Sequence, residues 1–117
     1  APLAIIEIKK YDVSIYAGAK NTGGYPYRAV IGLRDENDRF VAGAYFHHGP
    51  ATMPVADTKK ASGFIACHYT AADYPHVLDI LRNEKPVFIE FDERTNVANV
   101  RTSAEPVGEG ESHSSFE

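Results

Sequence analysis

Two pairs of neighbouring residues carry the side chains best suited to chemistry: His47-His48, and Cys67-His68 within the run GFIACHYTAADYPH (63–76). Cys67 is the only cysteine, and His68 and His76 are two of five histidines. A thiolate beside an imidazole makes a nucleophile and its base, and imidazoles with a carboxylate make a metal site. Strand geometry argues against both within one run. Successive side chains on a strand point to opposite faces, so Phe64, Ala66 and His68 share one face and Ile65, Cys67 and Tyr69 the other. Cys67 between Ile65 and Tyr69 therefore reads as a small buried hydrophobe, and His76, beside the apolar stripe of the helix that follows, as a surface or boundary residue and not a ligand.

His47 and His48 diverge for the same reason, and no Cys-x-x-Cys, His-x-x-x-His or Glu-x-x-His spacing accompanies them. A metal set drawn from His48, His68 and Asp57 would need three separate segments to converge, and with it a small metal enzyme or hydrolase. The chain has no Gly-x-Ser-x-Gly elbow, no glycine-rich loop opening a helix and no Walker sequence. No cofactor is expected and the balance leans away from catalysis.

The elements that position these residues are mostly strands. Ala4, Ile6 and Ile8 are even, whereas Tyr11, Val13, Ile15 and Ala17 are odd, so a bulge or turn falls at Lys9-Lys10. Gly18 to Pro26 reads as an irregular loop. YRAVIGLR (27–34) and RFVAGAYF (39–46) alternate about Asp35-Glu36-Asn37-Asp38, the signature of a hairpin. A four-residue loop places Arg34 opposite Arg39, Leu33 opposite Phe40, Ile31 opposite Ala42, Ala29 opposite Ala44 and Tyr27 opposite Phe46. A long loop (48–62) leads to a strand over 63–69. Tyr74, Val77, Leu78 and Leu81 follow helical spacing over 74–82, with Asp73 placed to cap the start and Pro75 in the first turn. PVFIEF (86–91) and NVANV (96–100) form a second hairpin, with Val87, Ile89 and Phe91 opposite Val100, Ala98 and Asn96. The order implies an α+β domain: one curved antiparallel sheet of about six to seven strands with one helix on one face.

One helix cannot cover such a sheet. On the face of the first hairpin away from the core, the same register puts Arg28 opposite Tyr45, Val30 opposite Gly43 and Gly32 opposite Val41, with His47 at the end. The glycines would leave a trough, and the facing Arg34 and Arg39 would repel unless an anion or acidic group lay between them. Arg28, Arg34, Arg39, Val41, Tyr45 and His47 are thus the candidate binding residues. They suit a non-enzymatic binding or assembly module contacting a second copy, as a homodimer, or an acidic partner protein. The alternating arginine and tyrosine also suit a single-stranded nucleic-acid platform.

Charge weighs against that alternative. Of 117 residues, 44% are hydrophobic and 24% charged, the usage of one globular domain. Formal net charge is -4; residues 1–50 carry six Lys or Arg against five acids, and residues 51–117 six against eleven. Nucleic-acid binding leans on phosphate neutralisation, which an acidic chain serves poorly. No apolar run approaches bilayer length, and APLAIIEIKK has no basic segment ahead of an apolar one, so neither membrane insertion nor a secretory signal is expected. A lone cysteine fits a cytoplasmic setting. The folded body is expected over 1–102. The tail 103–117, rich in Gly, Ser and Glu with four acids and no Lys or Arg, is expected to be flexible.

Overall fold

The computed structural model describes residues 3–17 and 27–108. Among them are eight strands and one α-helix: β1 (Leu3–Ile8), β2 (Lys10–Ile15), β3 (Tyr27–Arg34), β4 (Phe40–His47), β5 (Thr58–Lys59), β6 (Ile65–Thr70), α1 (Tyr74–Asn83), β7 (Val87–Asp92) and β8 (Val97–Thr102). The loop expected over 18–26 and most of the acidic tail lie outside the described residues.

The domain is α+β, but the strands form two sheets rather than one. A three-stranded sheet has the order β1-β7-β8 and a five-stranded sheet the order β2-β3-β4-β6-β5. The division falls at Lys9, where side-chain parity changes: β1 pairs with β7 and β2 with β3, while the Lys9 N–H still donates to the Arg34 carbonyl at 2.8 Å. The sheets are not purely antiparallel either, because β4 and β6 run parallel. The connection between them, which holds a 3₁₀ turn (Pro50–Thr52) and β5, is long enough for the crossover that parallel strands require.

Each sheet buries its apolar face in a shared core. Ile8, Ile89, Phe91 and Ala98 enter from the smaller sheet; Ala29, Ile31, Leu33, Ala42, Ala44, Phe46, Ile65 and Cys67 enter from the larger. A half-buried sheet face is stable only against another apolar surface, and each sheet supplies the other's. The helix adds Val77, with Tyr74 and Leu81 packed on the cluster. His76 is exposed, as its position beside the stripe implies. Asp73 does not cap by its side chain, because a 3₁₀ turn (Ala71–Asp73) runs straight into the helix and already sets its first residues.

Both hairpins slip by two residues from the expected register. Leu33 faces Ala42, Ile31 faces Ala44 and Ala29 faces Phe46; likewise Val87 faces Thr102, Ile89 faces Val100 and Phe91 faces Ala98. The cause lies in the turns. Asp38 and Asn96 adopt left-handed backbone conformations, with φ of 64° and 57°; the first turn widens to span 35–39, and the second keeps its length but moves one position along the chain to 93–96. The Asp35 carboxylate holds the first loop, accepting the N–H groups of Asn37 and Arg39 at 2.9 and 3.0 Å. A slip of two preserves parity, so the core membership of the strands stays as expected. Two residues do change sides. Irregularities at Leu33/Arg34 and Tyr27/Ala29 leave Phe40 50% exposed and put Tyr27 beside His47 instead of Phe46.

Candidate functional site

Among the described residues, the face of β3, β4 and β6 turned away from the core carries a cluster of four rings, those of Tyr27, Tyr45, His47 and His68. Parallel pairing sets Tyr45 directly beside His68, and their rings stack at 5.4 Å with 22° between planes. Tyr27 lies 5.1 Å from the Tyr45 ring and 5.2 Å from that of His47. His47 closes the group, its Nε2 lying 2.9 Å from His68 Nδ1 and its Nδ1 3.2 Å from Thr52 Oγ1.

One proton arrangement satisfies all three contacts of this chain at once. In it the Thr52 hydroxyl donates to the Gly49 carbonyl at 3.2 Å and accepts from His47. His47 therefore carries its proton on Nδ1 and offers Nε2 as an acceptor, and His68 must donate from Nδ1. This leaves the lone pair of His68 on Nε2. Burial lowers both imidazoles below their ordinary range; the neighbouring His68 and His48 reinforce this at His47, while Asp57 opposes it at His68. Both rings are neutral at pH 7. Burial also raises the Tyr45 phenol, with smaller contributions from Tyr27 and Cys67.

Asp57 sits beneath this cluster in a structural role. One carboxylate oxygen accepts the His68 backbone N–H and the other that of Ala98, each at 2.8 Å, and the Asp57 N–H donates to the Asn96 carbonyl at 3.1 Å. It thereby ties β6 in one sheet to β8 in the other. His48 is exposed while its neighbour His47 is 2% exposed. Among the described residues no three His, Cys, Asp or Glu side chains gather closely enough to hold a metal ion. Cys67 faces the core, its thiol donating to the Gly43 carbonyl at 3.4 Å.

The arginines expected to face each other do not. Arg34 lies opposite Phe40, donates to Asp12 and to the Asp38 carbonyl at 3.3 Å, and lies 5.6 Å from the Phe40 ring centre. Arg39, projecting from the loop, donates to Asp35 at 3.1 Å. The register slip and the bulge separate them, so their charges are met within the chain. Arg28 is exposed and donates to the Tyr16 carbonyl at 3.3 Å. Val41, beside the bulge, packs partly on the core. The trough expected over the two glycines is filled by the chain itself. A Cβ on Gly32 would meet Asp12 and Phe40 at 2.8 and 2.9 Å, and one on Gly43 would meet Tyr45 at 3.0 Å.

A second surface was not signalled by the first hairpin at all. All six residues of β2 are exposed, although Tyr11, Val13 and Ile15 pair with Leu33, Ile31 and Ala29 and so continue the core-facing row. The apolar side of the five-stranded sheet extends past the elements that cover it. The alternation of Tyr11, Val13 and Ile15 was visible in the sequence; that the other sheet stops short of them was not.

No family model matches the chain, and comparison with curated proteins and with solved structures likewise gives no match. Fold and site define, among the described residues, a two-sheet α+β domain with a hydrogen-bonded histidine pair on one face and an exposed apolar strand at one edge. No helix among the described residues is long and apolar enough to cross a membrane.

Proposed function

We propose that this domain is a non-enzymatic binding and assembly module, working in the cytoplasm and docking through the uncovered part of its five-stranded sheet. One observation carries the reading: β2 is exposed along its whole length while presenting Tyr11, Val13 and Ile15, which are 36%, 37% and 63% exposed, on the core side of the sheet. An apolar row in line with a core is covered in most folded proteins, and an uncovered one marks an interface. The neutralisation of Arg34 by Asp12 and of Arg39 by Asp35 favours a second copy over an acidic partner protein. It also weakens the nucleic-acid alternative, which needs free cations on the outer face of the sheet.

Light scattering over a range of protein concentrations tests this. The wild-type chain is expected to self-associate, and Ile15→Glu, which sets a charge in the apolar row, to shift it toward monomer. A wild type that stays monomeric throughout removes the assembly reading.

A further inference from the structure

We infer that the occupant of β2 is the β2 strand of a second copy, paired antiparallel about a two-fold axis at Val13, so that two five-stranded sheets join into one continuous sheet. The inference rests on the assembly reading above and adds the mode of contact and its register.

The backbone directs this first. The Tyr16 N–H donates to the Arg28 carbonyl at 2.9 Å, and β2 pairs with β3 in the register Ser14 with Val30, Asp12 with Gly32 and Lys10 with Arg34. In an antiparallel ladder, residues that exchange hydrogen bonds with the partner alternate with residues whose N–H and C=O point the other way. Even positions thus bond β3, and the N–H and C=O groups of Tyr11, Val13 and Ile15 point away from it. Among the described residues β2 ends its sheet. Six aligned backbone groups at such an edge are satisfied together by one kind of occupant, an extended strand.

The side chains then select a copy of the same strand. A two-fold axis perpendicular to the sheet keeps both apolar faces on one side and pairs odd positions with odd. Centred on Val13, it sets Tyr11 beside Ile15 of the second copy, fusing the two apolar rows. On the other face it sets Asp12 beside Ser14, whereas centring on Asp12 would oppose two carboxylates directly. The sequence AEPVGEGESHSSFE at the end of the chain lacks the apolar alternation that would match this row.

Charge reversal at the axis reads the register directly. The variants Val13→Glu and Val13→Lys each place like charges together across the axis, and each alone should be monomeric at concentrations where wild type is dimeric, with Kd raised at least about tenfold. Mixed, they should form a heterodimer. Val13→Pro should also be monomeric yet folded, because it deletes an N–H that points away from β3 and leaves the internal ladder whole. Circular dichroism and tyrosine fluorescence confirm folding in every case.

A Val13→Pro chain that stays dimeric, or a mixture that gives no heterodimer, overturns the edge pairing. If Ile15→Glu is then still monomeric, the assembly reading survives and the partner packs on the apolar face alone. A monomeric wild type overturns both.

Discussion

His47 Nε2 and His68 Nδ1 meet at 2.9 Å across the parallel strands β4 and β6, and the arrangement that satisfies the Thr52 contacts as well has His68 donating. The pair can take up one proton without losing that contact, because a proton on His68 Nε2 leaves its Nδ1–H directed at His47. A second would set the Nε2–H of His47 against the Nδ1–H of His68. The arrangement therefore couples the protonation of the outer face to the link between β4 and β6.

A pH dependence with a defined sign follows. Burial lowers both imidazoles in the folded chain, so the unfolded chain binds protons first, near the ordinary value of about 6.5. Stability from the pair is complete above that value and is lost as pH falls through it toward the lower folded values. His68 and His48 reinforce the lowering at His47, and Asp57 opposes it at His68. Urea midpoints should be lower at pH 5.5 than at pH 7.5, with the difference reduced in His68→Gln. Equal pH dependence in wild type and variant would assign the effect elsewhere.

Asp57 should matter more to stability than a loop carboxylate normally does. It accepts backbone N–H groups from strands in both sheets, at His68 and Ala98. Asp57→Ala orphans both donors and should cost roughly 2–3 kcal/mol in urea unfolding, with Asp57→Asn, which retains one acceptor, losing less. A change within about 0.5 kcal/mol for Asp57→Ala, the range of ordinary surface substitutions, would mean that the clamp carries no net stability.

Strand alternation made the inner faces legible, because both hairpins moved by two and parity survived. It also marked the break at Lys9. It could not say that β1 and β2 belong to different sheets, since parity records faces and not partners. Nor could it bring His47 to His68: they are 21 positions apart and meet only through a parallel pairing that no local turn dictates. The apparent confrontation of Arg34 and Arg39 failed on one residue, Asp38, whose left-handed backbone widens the loop. Asp57 entered as a candidate ligand because carboxylates are read by type, whereas here both oxygens are committed to backbone donors.

Cys67 gives a test of the face assignment. Its thiol is pushed up to about 12, chiefly by burial and further by the Asp57 charge. Only a thiolate reacts readily with disulfide reagents. At pH 8 the folded protein should resist such a reagent while the urea-unfolded chain is labelled fully. Equal labelling rates in the two states would place Cys67 at the surface.

Gly43 tests whether the ring cluster behaves as a unit. The Tyr45 side chain lies over it, and a Cβ there would sit 3.0 Å from the phenolic oxygen and 3.1 Å from two ring carbons. In Gly43→Ala the ring must move by a few tenths of an ångström or more, which disturbs its contacts with the stacked His68 and with Tyr27. Strand pairing is unaffected, since the backbone at Gly43 already lies in a regular ladder with Gly32 and Ala66. Burial is what raises the phenol and lowers the imidazole, so loosening the stack should return both toward their ordinary values. Ultraviolet titration should find the tyrosine ionising at lower pH, and NMR should find His68 titrating at higher pH, than in wild type. If neither curve moves while the alanine variant stays folded, Tyr45 and His68 share a face without depending on each other.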